Sequence, residues 1–285
     1  MFLQEDAMRY TKMHGAGNDF IIINNTEEQI PVEKLPALAR KLCAPHTSIG
    51  ADGMMIVTRA KDGGDFGMLF YNNDGSLGEM CGNGARCICR YGYEHGLAGD
   101  VQRIETTAGL VTGERVDARR YRIRLNDPSI IDRHVVEVDG FRFDCAYTEL
   151  GDPGIPHAVC FLPDWYEWPR DTLREAARTI RRAECFPKGA NVSFCATVGY
   201  DEVTAITFER GVEDFTLACG TGCGSVVAIL TLARIISGKD VLVHMPGGDL
   251  NVSVTREHKE IRDIYLTGPT CIVAEGDVLD EDLVL

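Results

Sequence analysis

Residues 208–224 read FERGVEDFTLACGTGCG, and this stretch decides how the rest of the chain is interpreted. Its pattern is typical of a strand, a polar turn, a cysteine and the glycine-rich start of an apolar helix. Cys219 would stand at that start, where the N–H groups of Gly220 and Thr221 have no partner inside the helix and the helix dipole is positive. Both effects favour a thiolate and an anionic ligand. The stretch therefore predicts a reactive cysteine beside an anion-binding site.

The same pattern occurs earlier, in residues 70–84, FYNNDGSLGEMCGNG. Cys81 and Cys219 lie 138 residues apart, and Gly50-Ala51-Asp52 matches Gly189-Ala190-Asn191 at nearly the same offset. Recurrence at a fixed offset predicts a duplicated unit, the alternative being a chance match of glycine-rich turns. The polar turn at 126–129 predicts the boundary between residues 1–126, which carry Cys81, and residues 127–267, which carry Cys219. The tail 268–285 is expected to pack on the first half.

Composition limits the classes of function. The chain has 285 residues, of which 45% are hydrophobic and 25% charged, as in ordinary globular proteins. A formal net charge of −14 argues against nucleic acid and anionic membranes as partners. The acidic N-terminus does not resemble a signal peptide, and no apolar run is long enough to span a membrane. Eleven scattered cysteines fit a reducing compartment, so we expect a cytoplasmic protein.

Apolar periodicity and capping signals predict four helices, at residues 32–42, 82–95, 171–183 and 220–236, and strands along most of the remaining chain. Asp171 or Thr172 is expected to cap the third helix. The last helix is apolar nearly all round, so it should be buried on every side. Each half therefore reads as strands wrapped around one central helix, which is an α+β arrangement with pseudo-symmetric, barrel-like halves. A break at residues 14–19 places Asn18 in a loop, and a turn at residues 72–76 brings Asn72 near Cys81.

Two cysteines at helix starts support one kind of chemistry. If the halves are related by a pseudo-twofold axis, Cys81 and Cys219 flank one ligand, and the helix N-termini can bind its carboxylate. A thiolate on one side would remove the α-proton, and a thiol on the other would return one. A helix terminus contributes about 0.3–1 kcal/mol, up to ~2 kcal/mol when partly buried, so one dipole lowers a thiol pKa from ~8.5 by roughly one unit.

Other functions remain open at this point. Five cysteines could form a metal or iron–sulfur site, although their spacing lacks C-x₂-C pairs: Cys81, Cys87, Cys89, Cys219 and Cys223. A thiol–disulfide oxidoreductase would need a C-x-x-C motif. A pyridoxal enzyme would need a lysine for the Schiff base, and Lys188 lies near a motif but not within one. A ligand-binding protein without catalysis would keep the anion sites but has no need for paired cysteines.

Several motifs, in this order along the chain, resemble the diaminopimelate epimerase family: His14-Gly15-x-Gly17-Asn18, Asn72-x-Asp74-Gly75-Ser76, Met80-Cys81-Gly82-Asn83-Gly84-x-Arg86-Cys87, Pro156-His157, Glu209-Arg210-Gly211 and Ala218-Cys219-Gly220-Thr221-Gly222. The resemblance implies a pseudo-symmetric two-domain fold, a homodimer, no cofactor and no metal. It also implies conversion of LL-2,6-diaminopimelate to its meso isomer, on the route to lysine and peptidoglycan precursors.

The resemblance also implies residue roles. Cys81 and Cys219 match the catalytic pair, and His157 and Glu209 match groups that tune the cysteines. The remaining positions match substrate-binding residues: Asn18, Asn72, Gly82, Asn83, Asn191, Glu209, Arg210, Gly220 and Thr221. Ile155 and Phe215 depart from the common family pattern. A related cofactor-independent amino acid racemase, such as one acting on histidine, is therefore the alternative.

Overall fold

The computed structural model describes residues 8–78, 82–279 and 283. The chain divides into two compact units, the first of Met1–Ile123 with Pro269–Leu285 and the second of Arg124–Gly268. Among the helices of the described residues, none combines the length and apolarity needed to cross a bilayer.

The first unit is mainly strand. Its strands are β1 (Arg9–Gly15), β2 (Asn18–Asn24), β3 (Gly53–Thr58), β4 (Phe66–Asn72), β5 (Leu77–Gly78), β6 (Val101–Thr106), β7 (Gly109–Arg115) and β8 (Arg120–Arg124). The C-terminal strand, Cys271–Asp277, pairs antiparallel with β1. The pairs β2–β3 and β4–β6 are parallel, and β1–β2, β3–β4, β4–β5, β6–β7 and β7–β8 are antiparallel. Apolar residues of β2 and β3 are almost fully buried, which places the core of the unit on these strands.

The helices of the first unit are α1 (Asn25–Glu28), a 3-10 turn at Val32–Lys34, α2 (Leu35–Leu42) and α3 (Gly82–Glu94). Helix α3 packs on β1, β2 and β7 and is buried over most of its length. It ends where Gly96 adopts a φ of +67° and its N–H donates to the carbonyl of Tyr93 at 3.1 Å. A glycine in the left-handed region is a frequent end for a helix.

The second unit has eight strands: β9 (Pro128–Val138), β10 (Phe141–Gly151), β11 (Gly154–Phe161), β12 (Asn191–Gly199), β13 (Glu202–Phe208), β14 (Val241–Met245), β15 (Gly248–Glu257) and β16 (Glu260–Pro269). The pairs β11–β12 and β13–β14 are parallel, and the other neighbours are antiparallel. Helix α4 (Arg170–Arg181) follows a 3-10 turn at Trp165–Glu167. Helix α5 (Gly220–Leu232) contacts β10, β11, β12, β13 and β15.

The two units repeat one pattern. The parallel-then-antiparallel pairing of β2, β3 and β4 recurs in β11, β12 and β13. Helices α3 and α5 both have 13 residues, and each begins with a glycine. Helix α2 buries Leu35, Leu38, Ala39 and Leu42, and α4 buries Leu173, Ala176, Ala177 and Ile180, the same positions shifted by 138. The predicted α+β class with strands around a central helix is confirmed.

Helix α5 is as buried as its sequence predicts, because every residue from Gly222 to Thr231 is inaccessible to solvent or nearly so. The helix is shorter than predicted, ending at Leu232 instead of residue 236. Arg234 has a φ of 63°, and the N–H of Ile235 donates to the carbonyl of Leu230 at 2.9 Å. This turn satisfies the last carbonyls and reverses the chain, which apolar periodicity alone does not reveal.

The predicted start of α4 was also wrong. Asp171 and Thr172 do not cap the helix, since it begins at Arg170 after Pro169. The backbone of Pro169 has a φ of −56°, and the residue has no N–H that needs a partner. Proline therefore replaces the expected side-chain cap.

Candidate active site

In the first unit, the predicted anion site lies at the start of α3. The predicted catalytic residue Cys81 lies outside the described residues, so the structure gives it no position. Gly82 and Asn83 form the first turn of α3 and are buried. Because the first N–H groups of a helix have no intrahelical acceptor, this turn can bind an anion.

Asn18 lies beside the start of α3. The sequence placed it in a loop, but it is the first residue of β2 and pairs with Gly15 across a two-residue turn. Ala16 and Gly17 form that turn with φ values of 52° and 83°, which matches the tight hairpin turns that twist with the strands. The side-chain Nδ2 of Asn83 donates to Oδ1 of Asn18 at 3.3 Å. The hairpin therefore fixes Asn18 next to the helix start.

Asn72 is the last residue of β4 and begins a turn that ends at Ser76. Its N–H donates to the carbonyl of Ser76, and its Nδ2 donates to Oγ of Ser76, both at 2.9 Å. Gly75 in this turn has a φ of +81°, and a Cβ there would lie 2.3 Å from the carbonyl oxygen of Pro36. Only glycine can adopt this positive φ and fit beside Pro36, so the turn has one conformation and fixes the position of Asn72.

In the second unit, Cys219 stands immediately before α5 in an extended conformation and is 5% exposed. Its Sγ lies 3.7 Å from Oγ1 of Thr221. A Cβ at Gly222 would lie 3.2 Å from that Sγ and 2.7 Å from Oγ1 of Thr207. Gly222 therefore makes room for the thiol against the helix, and Cys219 stands directly before the helix start at Gly220 and Thr221, as predicted.

Burial raises the pKa of Cys219 well above its ordinary value of 9.0, and the charge of Glu209 raises it further. Hydrogen bonds from Thr221 and from the N–H of Gly222 oppose this shift but do not outweigh it. The direction is opposite to the one inferred from the helix dipole alone, because a buried site penalises the charged form. Cys219 is therefore a protonated thiol near neutral pH and can act as an acid.

His157 and Asn191 are direct neighbours on the parallel strands β11 and β12. His157 is fully buried, and neither ring nitrogen has a partner among the described residues. Burial, followed by the charge of Arg210, lowers the pKa of His157 to about 3. The imidazole is therefore neutral at physiological pH and cannot influence a thiol through a positive charge.

Asn191 connects the site to Arg210. Its Oδ1 accepts the N–H of Arg210 at 2.8 Å, and its Nδ2 donates to the carbonyl of Pro156 at 3.2 Å. The exposed guanidinium of Arg210 donates to the carbonyl of Lys188 at 2.8 Å. Glu209 accepts a hydrogen bond from Oγ1 of Thr216. In this unit the structure thus brings Arg210 together with Asn191 and His157, and Glu209 with Cys219.

Comparison with known proteins identifies the family. The family model described as "Diaminopimelate epimerase" matches residues 10–128 and 151–273. The chain is 35% identical to the diaminopimelate epimerase of Aquifex aeolicus over 286 residues, covering 97% of this chain and 99% of that protein. It is 37% identical to that of Bacillus cereus over 285 residues, covering 94% and 96%. The chain belongs to the diaminopimelate epimerase family.

Solved structures show that this diaminopimelate epimerase family member shares its fold with proteins of low sequence identity. A hydroxyproline epimerase from Agrobacterium vitis matches with a TM-score of 0.69 at 19% identity, covering 98% of this chain and 94% of that one. A phenazine biosynthesis protein of the PhzF family from Enterococcus faecalis also gives 0.69, at 12% identity, covering 95% and 99%. The predicted diaminopimelate-epimerase-like fold is thereby confirmed.

Sequence reasoning missed a polar cluster next to Arg210 in this family member. Glu149 is buried, and its carboxylate accepts hydrogen bonds from the hydroxyl of Tyr147 at 2.6 Å and from Nζ of Lys188 at 2.7 Å. The only available signal was Lys188 itself, which precedes the repeated Gly189-Ala190-Asn191 segment. Glu149 sits in a strand with nothing in the local pattern to distinguish it.

Three cysteines of the metal hypothesis serve packing. Cys87 and Cys89 are fully buried in α3, and Cys223 is 1% exposed in α5. Across residues 8–78, 82–279 and 283, no three His, Cys, Asp or Glu side chains are grouped so that they could hold a metal ion.

Proposed function

We propose that this chain converts LL-2,6-diaminopimelate to meso-diaminopimelate by a two-base mechanism. The observation that carries the proposal is a buried, protonated Cys219 at the start of α5 in a chain that matches the family over nearly its full length. One cysteine removes the α-proton, and the other returns a proton to the opposite face of the same carbon. No cofactor takes part, because side chains supply both the proton acceptor and the proton donor.

The proton balance assigns a role to each cysteine. The thiolate of Cys81 takes the α-proton, so the carbon–hydrogen bond breaks and an S–H bond forms. The S–H bond of Cys219 then breaks as its proton passes to the carbanion. In the reverse direction the roles exchange. The raised pKa of Cys219 supports its role as the acid of the forward reaction, and the charge of Glu209 contributes to it. We propose that His157 also tunes the cysteines, as a neutral imidazole.

The reacting carboxylate needs donors, because negative charge builds on it when the α-carbon loses its proton. We propose that the backbone N–H groups of Gly82, Asn83, Gly220 and Thr221 supply them. These residues occupy the first turns of α3 and α5. A helix N-terminus binds an anion through both its N–H groups and its dipole.

The distal amino acid centre of diaminopimelate is proposed to bind Asn18, Asn72, Asn191, Glu209 and Arg210. A guanidinium can pair with a carboxylate through two hydrogen bonds, and a carboxylate can pair with an ammonium. Arg210 is exposed and is held by Asn191 and by the carbonyl of Lys188. A substrate with a second carboxylate therefore suits this site better than histidine does.

We further propose that residues 1–126 with the tail 268–285, and residues 127–267, are two epimerase halves that carry Cys81 and Cys219 respectively. The repeated strand pairing supports this division. The enzyme is proposed to be a cytoplasmic homodimer that serves lysine and peptidoglycan precursor synthesis. Light scattering coupled to size exclusion tests the dimer, and a monomer mass would reject it.

The proposed function is tested with LL-diaminopimelate, L-histidine and other amino acids, by following the loss of optical purity in deuterated water. We expect turnover of diaminopimelate alone, with one deuterium at the α-carbon of the product. Cys81→Ser and Cys219→Ser should abolish turnover. Cys271→Ser is the matched control, because Cys271 lies in the C-terminal strand and has no role in the mechanism. Turnover of histidine, or product without deuterium, would refute the proposal.

A further inference from the structure

Four polar side chains of the first unit form one continuous line of hydrogen bonds. Nη2 of Arg86 donates to Oδ1 of Asn83 at 2.9 Å. Nδ2 of Asn83 donates to Oδ1 of Asn18 at 3.3 Å, and Nδ2 of Asn18 donates to Oδ2 of Asp52 at 2.6 Å. Every bond points the same way, from the guanidinium to the carboxylate. We call Arg86, Asn83, Asn18 and Asp52 the amide line.

The two ends of the amide line determine its direction. A guanidinium can only donate hydrogen bonds, and a carboxylate can only accept them. The oxygen and nitrogen of an asparagine amide are nearly equal in size, so the network decides which atom faces which neighbour. If either asparagine turned over, an N–H group would face the guanidinium of Arg86 or a carbonyl would face the carboxylate of Asp52. The observed orientation avoids both conflicts.

Both ends are themselves held in place. Arg86 is fully buried in α3, and its Nη1 donates to the carbonyl of Gly82 at 3.3 Å. Oδ2 of Asp52 also accepts the N–H of Asp19 at 3.1 Å, while Oδ1 of Asp19 accepts the N–H of Asp52 at 2.9 Å. These reciprocal bonds tie Asp52 to the start of β2, where Asn18 lies. The line therefore connects two anchored groups.

A glycine makes room for the buried end of the line. A Cβ on Gly15 would lie 3.1 Å from the carbonyl oxygen of Asn83, 3.3 Å from Nη2 of Arg86 and 3.4 Å from Sγ of Cys87. Such distances are tighter than ordinary side-chain contacts, so a larger residue would displace the guanidinium or the helix start. The hairpin of β1 and β2 thus approaches α3 closely at the place where the line crosses between them.

We propose that Arg86 and Asp52 are positioning residues, which fix the amide orientation of Asn83 and Asn18 before the substrate arrives. The inference rests on the proposed function, since Asn18 and Asn83 are two of the proposed substrate-binding residues. Arg86 and Asp52 are not proposed to contact the substrate themselves, and they act on it through these amides. Preset donors and acceptors do not need to reorganise during the reaction, and this is how a rigid site favours its transition state.

The test compares Arg86→Met, Asp52→Ala and the double variant with the wild type. Each single variant is expected to lower kcat/KM for diaminopimelate, by on the order of 10²-fold for Arg86→Met. Because both residues act on the same pair of amides, the double variant should be little worse than Arg86→Met. Asp52→Asn keeps an acceptor oxygen and should recover part of the lost activity. If the loss of kcat/KM in the double variant equals the product of the two single losses, the residues act independently and the proposal is overturned.

Arg90→Met is the matched control, because Arg90 lies one turn further along α3 and donates to the carbonyl of Thr270 at 2.8 Å. It removes the same charge from the same helix without touching the amide line. Its kcat/KM should remain within a fewfold of the wild type. A loss equal to that of Arg86→Met would mean that the helix, and not the line, is responsible.

A spectroscopic readout separates this inference from the function itself. In protein labelled with ¹⁵N-asparagine, Arg86→Met should shift the side-chain Nδ2 resonances of both Asn83 and Asn18, because the amide line connects Arg86 to Asn18 through Asn83. Arg90→Met should leave the Asn18 resonance in place. An unchanged Asn18 resonance in Arg86→Met would overturn the positioning role even if the enzyme epimerises diaminopimelate. Shifts as expected in a protein without that activity would refute only the proposed function.

Discussion

Nζ of Lys188 lies 2.7 Å from Oε2 of Glu149, whose side chain is 5% exposed while that of Lys188 is 52% exposed. Burial by itself raises the pKa of Glu149, but the hydrogen bonds from Lys188 and Tyr147 outweigh it and hold the pKa below 4.5. The carboxylate is therefore charged in the folded protein and depends on two donors. A half-exposed lysine thus supports a buried acid next to Arg210.

Lys188→Met should lower the free energy of unfolding by about 1–3 kcal/mol, because it leaves a buried charged acceptor with one donor fewer. Arg178→Met is the control, since Arg178 and Glu175 are also 2.7 Å apart but the side chain of Glu175 is 64% exposed. Exposed pairs contribute about 0–1 kcal/mol. Urea denaturation measures both changes, and equal losses would show that the burial of Glu149 does not matter.

The contribution of Glu149 should depend on pH in a defined direction. Its folded-state pKa is lowered, so its stabilisation is present above the ordinary carboxyl pKa of 4.5 and is lost as the pH falls through the folded value. The stability difference between the wild type and Glu149→Gln should therefore shrink on acidification below pH 4.5. Urea titrations at a series of pH values measure it, and a difference that grows in acid would contradict the assignment.

His244 should show the opposite pH dependence. Hydrogen bonds with Glu202 at 2.8 Å and Asp249 at 2.7 Å raise its pKa above 6.5. Its stabilisation is therefore complete below pH 6.5 and is lost as the pH rises through the folded value. Since all three side chains are partly exposed, the effect should stay within about 1 kcal/mol. His244→Gln should remove this pH dependence, and a persisting slope would assign it elsewhere.

Removing the charge of Glu209 should make Cys219 more acidic. Burial and then the charge of Glu209 raise the pKa of this thiol, so Glu209→Gln removes the second-largest raising effect. We expect faster alkylation of Cys219 by iodoacetamide at pH 8 in Glu209→Gln than in the wild type, both in a Cys81→Ser background. Mass spectrometry of the Cys219 peptide measures the rate. Slower or equal alkylation would show that the charge of Glu209 does not reach the thiol.

Gly222→Ala should impair catalysis by crowding Cys219. The new Cβ would lie 2.7 Å from Oγ1 of Thr207 and 3.2 Å from Sγ of Cys219, so the thiol or the strand must shift. We expect kcat/KM to fall at least about tenfold and stability to fall by about 1–3 kcal/mol. Gly99→Ala is the matched control, because no atom lies within 4 Å of its Cβ. Wild-type kinetics in Gly222→Ala would show that the thiol tolerates the displacement.

Local patterns predicted much of the fold. The helices α2 and α4 were predicted from their apolar periodicity, and α5 from its apolar run. These predictions assume only that apolar residues are buried. They did not predict where α5 ends, because the left-handed turn at Arg234 has no glycine to mark it. They also placed Asn18 in a loop, because the two-residue turn at Ala16 and Gly17 is not a common hairpin sequence.

The amide line shows why part of the site was not predicted. Arg86 lies inside the family motif that contains Cys81, and Asp52 matches Asn191 in the repeat. Neither position in the sequence reveals a hydrogen-bond partner. Arg86 and Asp52 come together only because the β1–β2 hairpin approaches both α3 and the start of β3. Contacts of this kind depend on chain packing and not on spacing in the sequence.

By itself, the sequence determined the duplicated plan, the cysteine and glycines that open α5, and the family, because these depend on residue type and order along the chain. Only the tertiary structure decided that Cys219 holds its proton, that Glu149 is charged and that the amides of Asn18 and Asn83 face one way. Those properties come from the desolvation of buried groups and from contacts between residues that are distant in the sequence. Both arise only when the chain has folded.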